Sequence, residues 1–365
     1  LQFFRPSGLN LERFSFLYLI HVIKVTPIKE KNLMSEKEKP LSDKALTGAI
    51  TDKGSESLTL HDRIKKYSVA KQRQEVILNH LRDISRGDAK SPPHGIVRHD
   101  KLISSMSECF NRLVFHNYYT VDKLRLVKAV SCKKHLLCAP CAIRRAAKAV
   151  NAYMSKFQEI IASRGDLEPY LLTLTVKNGH DLPERFDHLM KSMKSILKTR
   201  RNYASRGTGY NEFCKIDGGV YSYELSHSEH GWHPHIHIVV LLSKGEKIDF
   251  DPYKAKGSKL SQDWKRITGD SFIVDIRPIT GDPVEGFIEV FKYALKFSDL
   301  TPSQTVEAFS YLQGNRLQGS FGSFRGVEVP DDLNEESLDD LPYIELIYGY
   351  LNRQFNLQSS KLVDI

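Results

Sequence analysis

The sequence predicts an α+β fold built on an antiparallel sheet, with a helical, cysteine-containing region in front of it. Between about residues 170 and 297, apolar residues recur with period two in some segments and at helical spacing in others. These segments follow each other in the order β-α-β-β-α-β-α, and a short polar loop joins the two consecutive strands. Strands joined by a short loop pair antiparallel. We therefore expect an antiparallel sheet with its helices largely on one side.

The N-terminal part divides into a polar stretch and a helical region. From Met34 to residue 60 the sequence is polar and shows no repeating pattern of apolar residues. We expect residues 1–60 to be disordered. Met34 opens a lysine-rich stretch, so residues 1–33 are either upstream sequence or part of the working protein. Over residues 61–86 apolar residues recur at helical spacing. We expect residues 61–165 to form a helical, basic, cysteine-rich region that binds DNA.

Composition narrows the functional class. The net charge is +9, yet residues 327–365 hold nine acidic against two basic residues, so the rest of the chain is strongly basic. A basic body favours a polyanionic partner, nucleic acid first, over a merely solvated charged surface. Five cysteines, three of them close together, do not resemble a secreted disulfide scaffold. No run of about 18 apolar residues exists, so we expect a cytoplasmic protein without a membrane span.

Residues 166–300 are expected to form one α+β domain, followed over residues 301–365 by a helical region with an acidic tail. The expected strands cover residues 170–177, 220–225, 235–242 and 272–277. The expected helices cover residues 183–203, 252–265 and 284–297.

The third of these strands carries a candidate metal site. Alternation places His235 and His237 on one face, while Ile236 and the next alternate residues make the other face apolar. Glu224, on the preceding strand, can lie beside both histidines if the two strands pair antiparallel. Two imidazoles and a carboxylate form a mixed site that suits Lewis-acid work on a phosphate or carbonyl oxygen. The alternatives are a histidine-rich strand edge without a ligand and an ordinary strand glutamate.

The helix over residues 284–297 carries a candidate nucleophile. Glu289, Lys292, Tyr293 and Lys296 form its polar stripe, and Glu289 lies one turn before Tyr293. The two ammonium groups favour the phenolate of Tyr293 and can hold a phosphodiester, so that this tyrosine can attack phosphorus. An ordinary surface helix is the alternative.

Three cysteines, Cys132, Cys138 and Cys141, form a candidate zinc site. Tetrahedral zinc needs a fourth ligand. The candidates for this position are His135, Cys109 and His116. Buried free thiols at the start of a helix are the alternative to zinc.

Basic residues near these motifs are candidates for contact with DNA. Arg144 and Arg145 lie in the first turns of the alanine-rich helix that follows the cysteines, and Lys177 lies on the polar face of the first strand. Lys292 belongs to the polar stripe that also carries Tyr293. Each could instead belong to a solvated surface.

Together these motifs resemble the replication initiators of rolling-circle plasmids, which are Rep proteins of the HUH endonuclease superfamily. The resemblance rests on His-Pro-His-Ile-His on an apolar strand, on the upstream strand Leu-Leu-Thr-Leu-Thr-Val-Lys, and on Glu-x-x-x-Tyr-x-x-Lys on a downstream helix. It extends from about Cys132 to Gly326 and includes the cysteine element and a Phe-Gly-Ser-Phe-Arg-Gly stretch. Each motif is weak alone, but their order and spacing agree.

The resemblance implies an HUH-like fold and a role for each motif. His235 and His237 would hold a divalent metal, Mg²⁺ or Mn²⁺. Tyr293, assisted by Lys296, would cut one strand at the double-strand origin and keep the 5′ phosphate, leaving a 3′-OH primer. Glu289 would activate water at termination, as in the single-tyrosine type. The implied partners are plasmid origin DNA and the host helicase and polymerase.

Two rival interpretations stay open. A transposase or mobilisation relaxase would share the HUH chemistry, but neither a fused helicase nor a second tyrosine one turn away is found. A zinc-containing regulator would bind DNA through the same basic surface without cutting it, and its histidines would be structural.

Overall fold

The computed structural model describes residues 59–93, 99–251, 253, 257–291, 300–338 and 340–364. The helices in these residues are α1 (Leu60–Arg86), α2 (His99–Ser107), α3 (Ala139–Ser163), α4 (Leu182–Arg206), α5 (Lys259–Thr268), α6 (Pro283–Phe291) and α7 (Pro302–Leu312). The strands are β1 (Arg112–Tyr118), β2 (Lys123–Ala129), β3 (Leu167–Thr175), β4 (Gly218–Ser228), β5 (Gly231–Ser243), β6 (Val274–Pro278), β7 (Gln318–Phe321), β8 (Tyr343–Leu351) and β9 (Gln354–Val363). The disorder expected for residues 1–58 concerns positions outside the described residues.

A five-stranded antiparallel sheet forms the centre of the molecule. Its strand order is β6-β3-β5-β4-β7, so β5, the histidine strand, lies in the middle. β4 and β5 form a hairpin that turns tightly at Gly231, whose φ of +88° is the left-handed conformation that glycine adopts readily. A Cβ at Gly231 would lie 2.5 Å from the carbonyl oxygen of Gly179, so only glycine fits this turn.

Helices cover both faces of this sheet, and the expectation of helices largely on one side is therefore wrong. The face carrying Ile236 and Ile238 packs against α4 and α5, through residues such as Phe186 and Trp264. The opposite face, which includes Val239, packs against α3 and α6. The sequence contained this signal, because Val239 and Leu241 continue the histidine face as apolar residues. A strand that is apolar on both faces must be covered on both.

A second, four-stranded antiparallel sheet has the order β2-β1-β8-β9 and joins a hairpin from the N-terminal half to the last two strands of the described chain. Two expectations are wrong here. Residues 61–165 are not helical throughout, since β1 and β2 form a hairpin within them. The described region after Leu312 contains the three strands β7, β8 and β9 rather than further α-helices. β8 alternates along Tyr343–Leu351, but its partner β1 lies more than 200 residues earlier in the sequence.

One continuous apolar core joins this second sheet, α1 and α2 to one face of the five-stranded sheet. The α+β class and the antiparallel sheets are confirmed, and so is a largely helical N-terminal region, apart from the β1–β2 hairpin. The helix expected over residues 252–265 begins only at Lys259 and ends at Thr268. The end of the helix expected over residues 284–297 falls on residues 292–299, which lie outside the described residues.

Candidate functional site

Three side chains converge on the face of the five-stranded sheet that α6 covers. In the antiparallel register Glu224 of β4 lies directly opposite His235 of β5, and Ser222 lies opposite His237. Oε2 of Glu224 is 3.5 Å from Nε2 of His235 and 3.1 Å from Nε2 of His237. All three side chains are at least largely buried, with Glu224 only 2% exposed. The arrangement follows from the period of two in each strand and from the register of the hairpin.

The outward nitrogens of both histidines are held by oxygen atoms. Nδ1 of His235 donates to the carbonyl oxygen of His233 at 3.3 Å, and Nδ1 of His237 pairs with the hydroxyl of Thr173 at 3.1 Å. Thr173 lies opposite His237 in the neighbouring strand β3. A histidine whose Nδ1–H is bound in this way turns the lone pair of Nε2 toward the other side of the ring. Nε2 of each histidine therefore faces the carboxylate of Glu224.

This donor set fits a divalent metal ion. One carboxylate oxygen and two imidazole nitrogens lie within 4.8 Å of one another. In a metal-binding histidine, the ring nitrogen that does not bind the metal usually forms a hydrogen bond with an oxygen atom, as Nδ1 does here. Three nitrogen and oxygen donors leave positions open for a phosphate oxygen or water, as catalytic sites require. The residues present are therefore suited to hold a divalent cation.

Helix α6 adds a second carboxylate at the edge of this group. Oε1 of Glu289 is 3.8 Å from Nε2 of His237, and its side chain is 27% exposed. The helix can approach β5 closely because Gly286 faces the sheet, where a Cβ would lie 2.3 Å from Ile279 and 3.4 Å from Val239. The structure thus brings Glu289 to the histidines. Three further predicted residues, Lys292, Tyr293 and Lys296, lie outside the described residues.

Two other tyrosines lie near the site in sequence but on the opposite face of β4. Tyr221 and Tyr223 alternate with Ser222 and Glu224, and therefore point away from the histidines. Burial raises the pKa of the phenol in both Tyr221 and Tyr223. Their orientation and their raised pKa make both poor nucleophiles for a substrate held at Glu224.

Four cysteines form a second group that could hold a metal ion. Cys109, Cys132, Cys138 and Cys141 bring their sulfur atoms within 4.8 Å of one another, and the structure contains them as free thiols. The Sγ–Sγ distances are 3.5 Å from Cys109 to Cys138, 3.4 Å from Cys109 to Cys141 and 3.7 Å from Cys132 to Cys141. With Zn–S bonds of about 2.3 Å, the edge of a tetrahedron is about 3.8 Å. The four sulfurs thus fit a tetrathiolate zinc site.

Of the three candidates for the fourth position, Cys109 is the one that the structure brings to the cysteines. It lies between α2 and β1, and its carbonyl oxygen accepts a hydrogen bond of 2.5 Å from Nζ of Lys71 in α1. His135 is exposed, and His116 stacks on Tyr343 with ring centroids 3.9 Å apart. Burial lowers the pKa of the Lys71 ammonium, whereas the nearby thiolates of Cys109 and Cys138 oppose this effect.

The predicted DNA contacts differ in their accessibility. Lys177 is exposed just beyond the end of β3. Arg144 is only 1% exposed, and its guanidinium contacts the carbonyl oxygen of Leu333 and, at 2.7 Å, the carboxylate of Glu335. The prediction that Arg144 contacts a phosphate therefore conflicts with its position, because its charge is neutralised inside the protein. Arg145, the next residue, is partly exposed.

The acidic segment of residues 327–338 is folded against the protein rather than projecting as a tail. Glu335 accepts hydrogen bonds from Arg63 of α1, from Arg144 of α3 and from the backbone N–H of Leu126 in β2. Nη1 of Arg145 lies 3.3 Å from a carboxylate oxygen of Asp331. The segment therefore fastens three elements of the N-terminal half to one another.

Within the described parts of the chain, no helix combines the length and the apolar character that a membrane crossing requires.

Comparison with known proteins gives one match. Neither the curated proteins nor the solved structures contain a protein that matches this chain. The model of a family described as replication protein matches residues 123–345, which is more than half of the chain and includes both strands of the histidine hairpin. The match supports the prediction of a plasmid replication initiator. The chain therefore belongs to the replication protein family.

Proposed function

We propose that this protein initiates rolling-circle replication of a plasmid by nicking one strand of the origin, as a single-tyrosine member of the HUH endonucleases. The observation that carries the proposal is the convergence of Glu224, His235 and His237 in the central strands of an antiparallel sheet. The membership of the replication protein family supports it from an independent side. The described elements from β3 to α6 follow one another in the order β-α-β-β-α-β-α, which supports the proposal.

In this mechanism Glu224, His235 and His237 would hold a divalent cation, Mg²⁺ or Mn²⁺. Such a cation, when bound, polarises the scissile phosphate and orients it for in-line attack. The phenol oxygen of Tyr293 attacks phosphorus and gives up its proton, and the bond from phosphorus to the 3′ oxygen breaks. The 3′ oxygen leaves with the electron pair and takes up a proton. The 5′ phosphate then remains on Tyr293, and the free 3′-OH becomes the primer.

Glu289 is proposed as the base that ends a round of replication. Its carboxylate is partly exposed and lies beside His237, so it can reach water that approaches the phosphate. By removing a proton from that water, Glu289 would release the strand by hydrolysis, whereas a second tyrosine would transfer it. General-base assistance of this kind typically contributes about 10²- to 10⁴-fold. The origin DNA is the direct partner, and a helicase and a polymerase of the host would extend the primer.

The four cysteines are proposed to hold a structural zinc ion. Structural zinc sites have four protein ligands and no open position, which matches the buried sulfur cluster. The centre would order the helical and basic part of the protein, while the separate carboxylate–imidazole site performs the reaction.

A nicking assay tests the proposed reaction. The substrates are single-stranded oligonucleotides, labelled at the 3′ end, that tile the DNA flanking the gene, incubated with the full chain and Mn²⁺. We expect one oligonucleotide to be cut and its labelled 3′ part to migrate with the protein on a denaturing gel. EDTA should abolish the reaction, and Tyr293→Phe should form no adduct because it lacks the attacking oxygen.

Tyr221→Phe is the matched control, because Tyr221 lies on the opposite face of β4 and should not affect the adduct. A protein that binds these oligonucleotides but yields neither nick nor adduct would be the non-catalytic regulator instead. An adduct that persists in Tyr293→Phe would assign the reaction to another tyrosine.

A further inference from the structure

A basic groove opens between the cysteine centre and the five-stranded sheet, with a volume of about 710 Å³. Its basic lining residues are Lys133, Lys134, His135, Arg145 and Arg316. None of the described residues that line it is acidic. In a chain with 44 acidic residues, such a concentration of one sign of charge points to an anionic ligand.

Most of these charges are available to a ligand. Lys133, Lys134 and Arg316 are exposed, and in the described part of the chain none of them forms an ion pair with a carboxylate. Among the described residues, the carboxylate that Arg145 contacts is that of Asp331, whose side chain is 88% exposed, so this ion pair contributes little stability. Nη1 of Arg145 also donates to the carbonyl oxygen of Pro330 at 3.0 Å. A phosphate group could replace the carboxylate of Asp331 without opening the protein core.

The cysteine centre holds one wall of the groove in place. Lys133, Lys134 and His135 lie in the loop between Cys132 and Cys138, both of which belong to the sulfur cluster. The backbone at Lys133 is left-handed, with φ of +56°, a conformation that a lysine retains only when its surroundings hold it. The N–H of Cys138 donates to the carbonyl oxygen of Lys134 at 2.8 Å. The basic side chains therefore project from an anchored loop.

The opposite wall lies next to the five-stranded sheet. Arg316, with Gln313 and Asn315, lies in the connection between α7 and β7, and β7 pairs directly with β4, the strand that carries Glu224. Nε of Arg316 donates to the carbonyl oxygen of Gln318 at 3.0 Å, which restricts the side chain. This wall thus adds one charge, and the amides of Gln313 and Asn315, which donate to carbonyl oxygens of α7, make it polar.

The floor between the two walls is apolar and aromatic. It includes Tyr153 of α3, Phe291 of α6 and Phe309 of α7, and the first two rings stack with centroids 5.1 Å apart. All three residues are at most 6% exposed, so each presents only a small part of its surface to the groove. Phe291 lies two residues after Glu289 on α6, so one short helix connects the groove to the carboxylate–imidazole site. A strand that lies along the groove would therefore extend toward the proposed cutting site.

We propose that this groove binds a segment of single-stranded DNA, with its phosphates on the two basic walls and its bases over the apolar floor. Basic walls with aromatic residues between them are the usual features of single-strand binding. A paired duplex keeps its bases inside and could reach only the walls, so the recessed floor favours a separated strand. The proposal rests on the proposed function in one respect, because that function requires a single strand at the nick.

Binding measurements that exclude cleavage test this proposal. The probe is a fluorescently labelled oligothymidine, and its anisotropy is measured with Tyr293→Phe protein at several salt concentrations, without added divalent metal and without a chelator, so that the cysteine centre stays intact. Lys133→Glu combined with Lys134→Glu changes one wall, and Arg316→Glu changes the other. We expect each variant to weaken binding on the order of tenfold or more and to reduce the salt dependence by about 0.7 per lost phosphate contact.

Lys259→Glu is the matched control, since Lys259 is 71% exposed on α5 and does not line the groove, and it should bind like the parent. Unchanged thermal unfolding of the three variants shows that the fold is retained. Parent-like binding by both groove variants would overturn the proposal, as would tighter binding of the same sequence as a duplex.

The groove and the proposed nicking activity can fail separately. If the wild-type protein nicks DNA but the groove variants bind single-stranded DNA normally, the proposal for the groove is wrong and the proposed activity stands. If the wild-type protein never nicks DNA but the groove variants lose single-strand binding, the proposal for the groove is supported and the proposed activity is wrong.

Discussion

The hydroxyl of Thr173 is one of the smallest groups near the candidate metal site, yet it determines which nitrogen of His237 faces Glu224. Its oxygen pairs with Nδ1 of His237 at 3.1 Å, while Nε2 of the same ring lies 3.1 Å from the Glu224 carboxylate. Without that partner the imidazole could rotate or exchange tautomers. Partners of this kind typically change metal affinity by about 10- to 100-fold. Thr173 is thus a positioning residue for the proposed metal ion.

We therefore predict that Thr173→Val lowers the affinity for Mn²⁺ by about 10- to 100-fold, because valine keeps the shape but removes the oxygen. Isothermal titration with Mn²⁺ measures this effect, since this ion prefers nitrogen and oxygen ligands to the thiolates. Thr173→Ser should retain the affinity. Thr175→Val is a control on the same strand, because its hydroxyl donates instead to the carbonyl oxygen of Ile273. Equal losses in both valine variants would indicate general damage to β3 rather than a role in orienting His237.

Among single residues, the sequence predicts a site residue correctly where the alternation of side chains along a strand decides which residues are its neighbours. The grouping of Glu224 with His235 and His237 needs only strand alternation and one hairpin. Cys109 is one of several candidates, because it lies 23 residues before Cys132 and only the antiparallel pairing of β1 with β2, which continues to Phe110 and Val130, brings it to the other sulfurs. Arg144 was assigned to the surface because a basic residue in an alanine-rich helix gives no local sign that a distant glutamate will bury it.

At the scale of elements, the acidic segment of residues 327–338 connects α1, α3 and β2 through hydrogen bonds and ion pairs. Its centre is Glu335. Burial alone would raise the pKa of this carboxyl, but Arg63 and Arg144, with hydrogen bonds from Arg144 and Leu126, lower it to about 2. A depressed pKa means that the ionised carboxylate stabilises the folded state. This contribution is complete above the unfolded pKa of about 4.3 and is lost as pH falls toward 2.

We predict that Glu335→Gln lowers the free energy of unfolding at pH 7 by about 3 kcal/mol, since it leaves two buried guanidinium groups without their counter-charge. Urea unfolding at several pH values measures the loss. The difference between wild type and variant should shrink as pH falls from about 4.5 to 2, where the wild-type carboxylate is protonated. Glu336→Gln, at the exposed neighbouring position, should change stability by less than about 0.5 kcal/mol. A constant difference across this pH range would contradict the electrostatic origin.

Elements with a strong local pattern are predictable here, and elements that depend on distant partners are less so. The strands β3, β4 and β5 and the helix α4 agree with the expected segments to within a few residues at each end. The second sheet is not predicted, because β1 and β8, the strands that join its two hairpins, lie more than 200 residues apart in the sequence. Strand pairing across such a distance is decided by the whole core and not by a window of sequence.

For the molecule as a whole, the cysteine centre lies where the ends of several helices and strands meet. Cys109 follows α2, Cys132 follows β2, and Cys138 and Cys141 begin α3. Lys71 connects the centre to α1 through the carbonyl oxygen of Cys109. The same cluster fixes the loop that forms one wall of the basic groove. Loss of a metal ion there should affect the N-terminal half and the groove together, and leave the carboxylate–imidazole site in the five-stranded sheet.

We predict that Cys109→Ser abolishes the binding of one zinc ion per chain and lowers the melting temperature by about 10 °C, since a structural zinc ion contributes directly to folding. Metal analysis of the purified protein and thermal unfolding measure the two effects. Cys214→Ser is the matched control, because Cys214 lies outside the cluster, in contact with Asn211. Titration with Mn²⁺ should still detect the site at Glu224, whose ligands lie on other elements. A Cys109→Ser protein that retains zinc and stability would show that another group, such as His135, completes the site, and the loop of Lys133 would then need a different anchor.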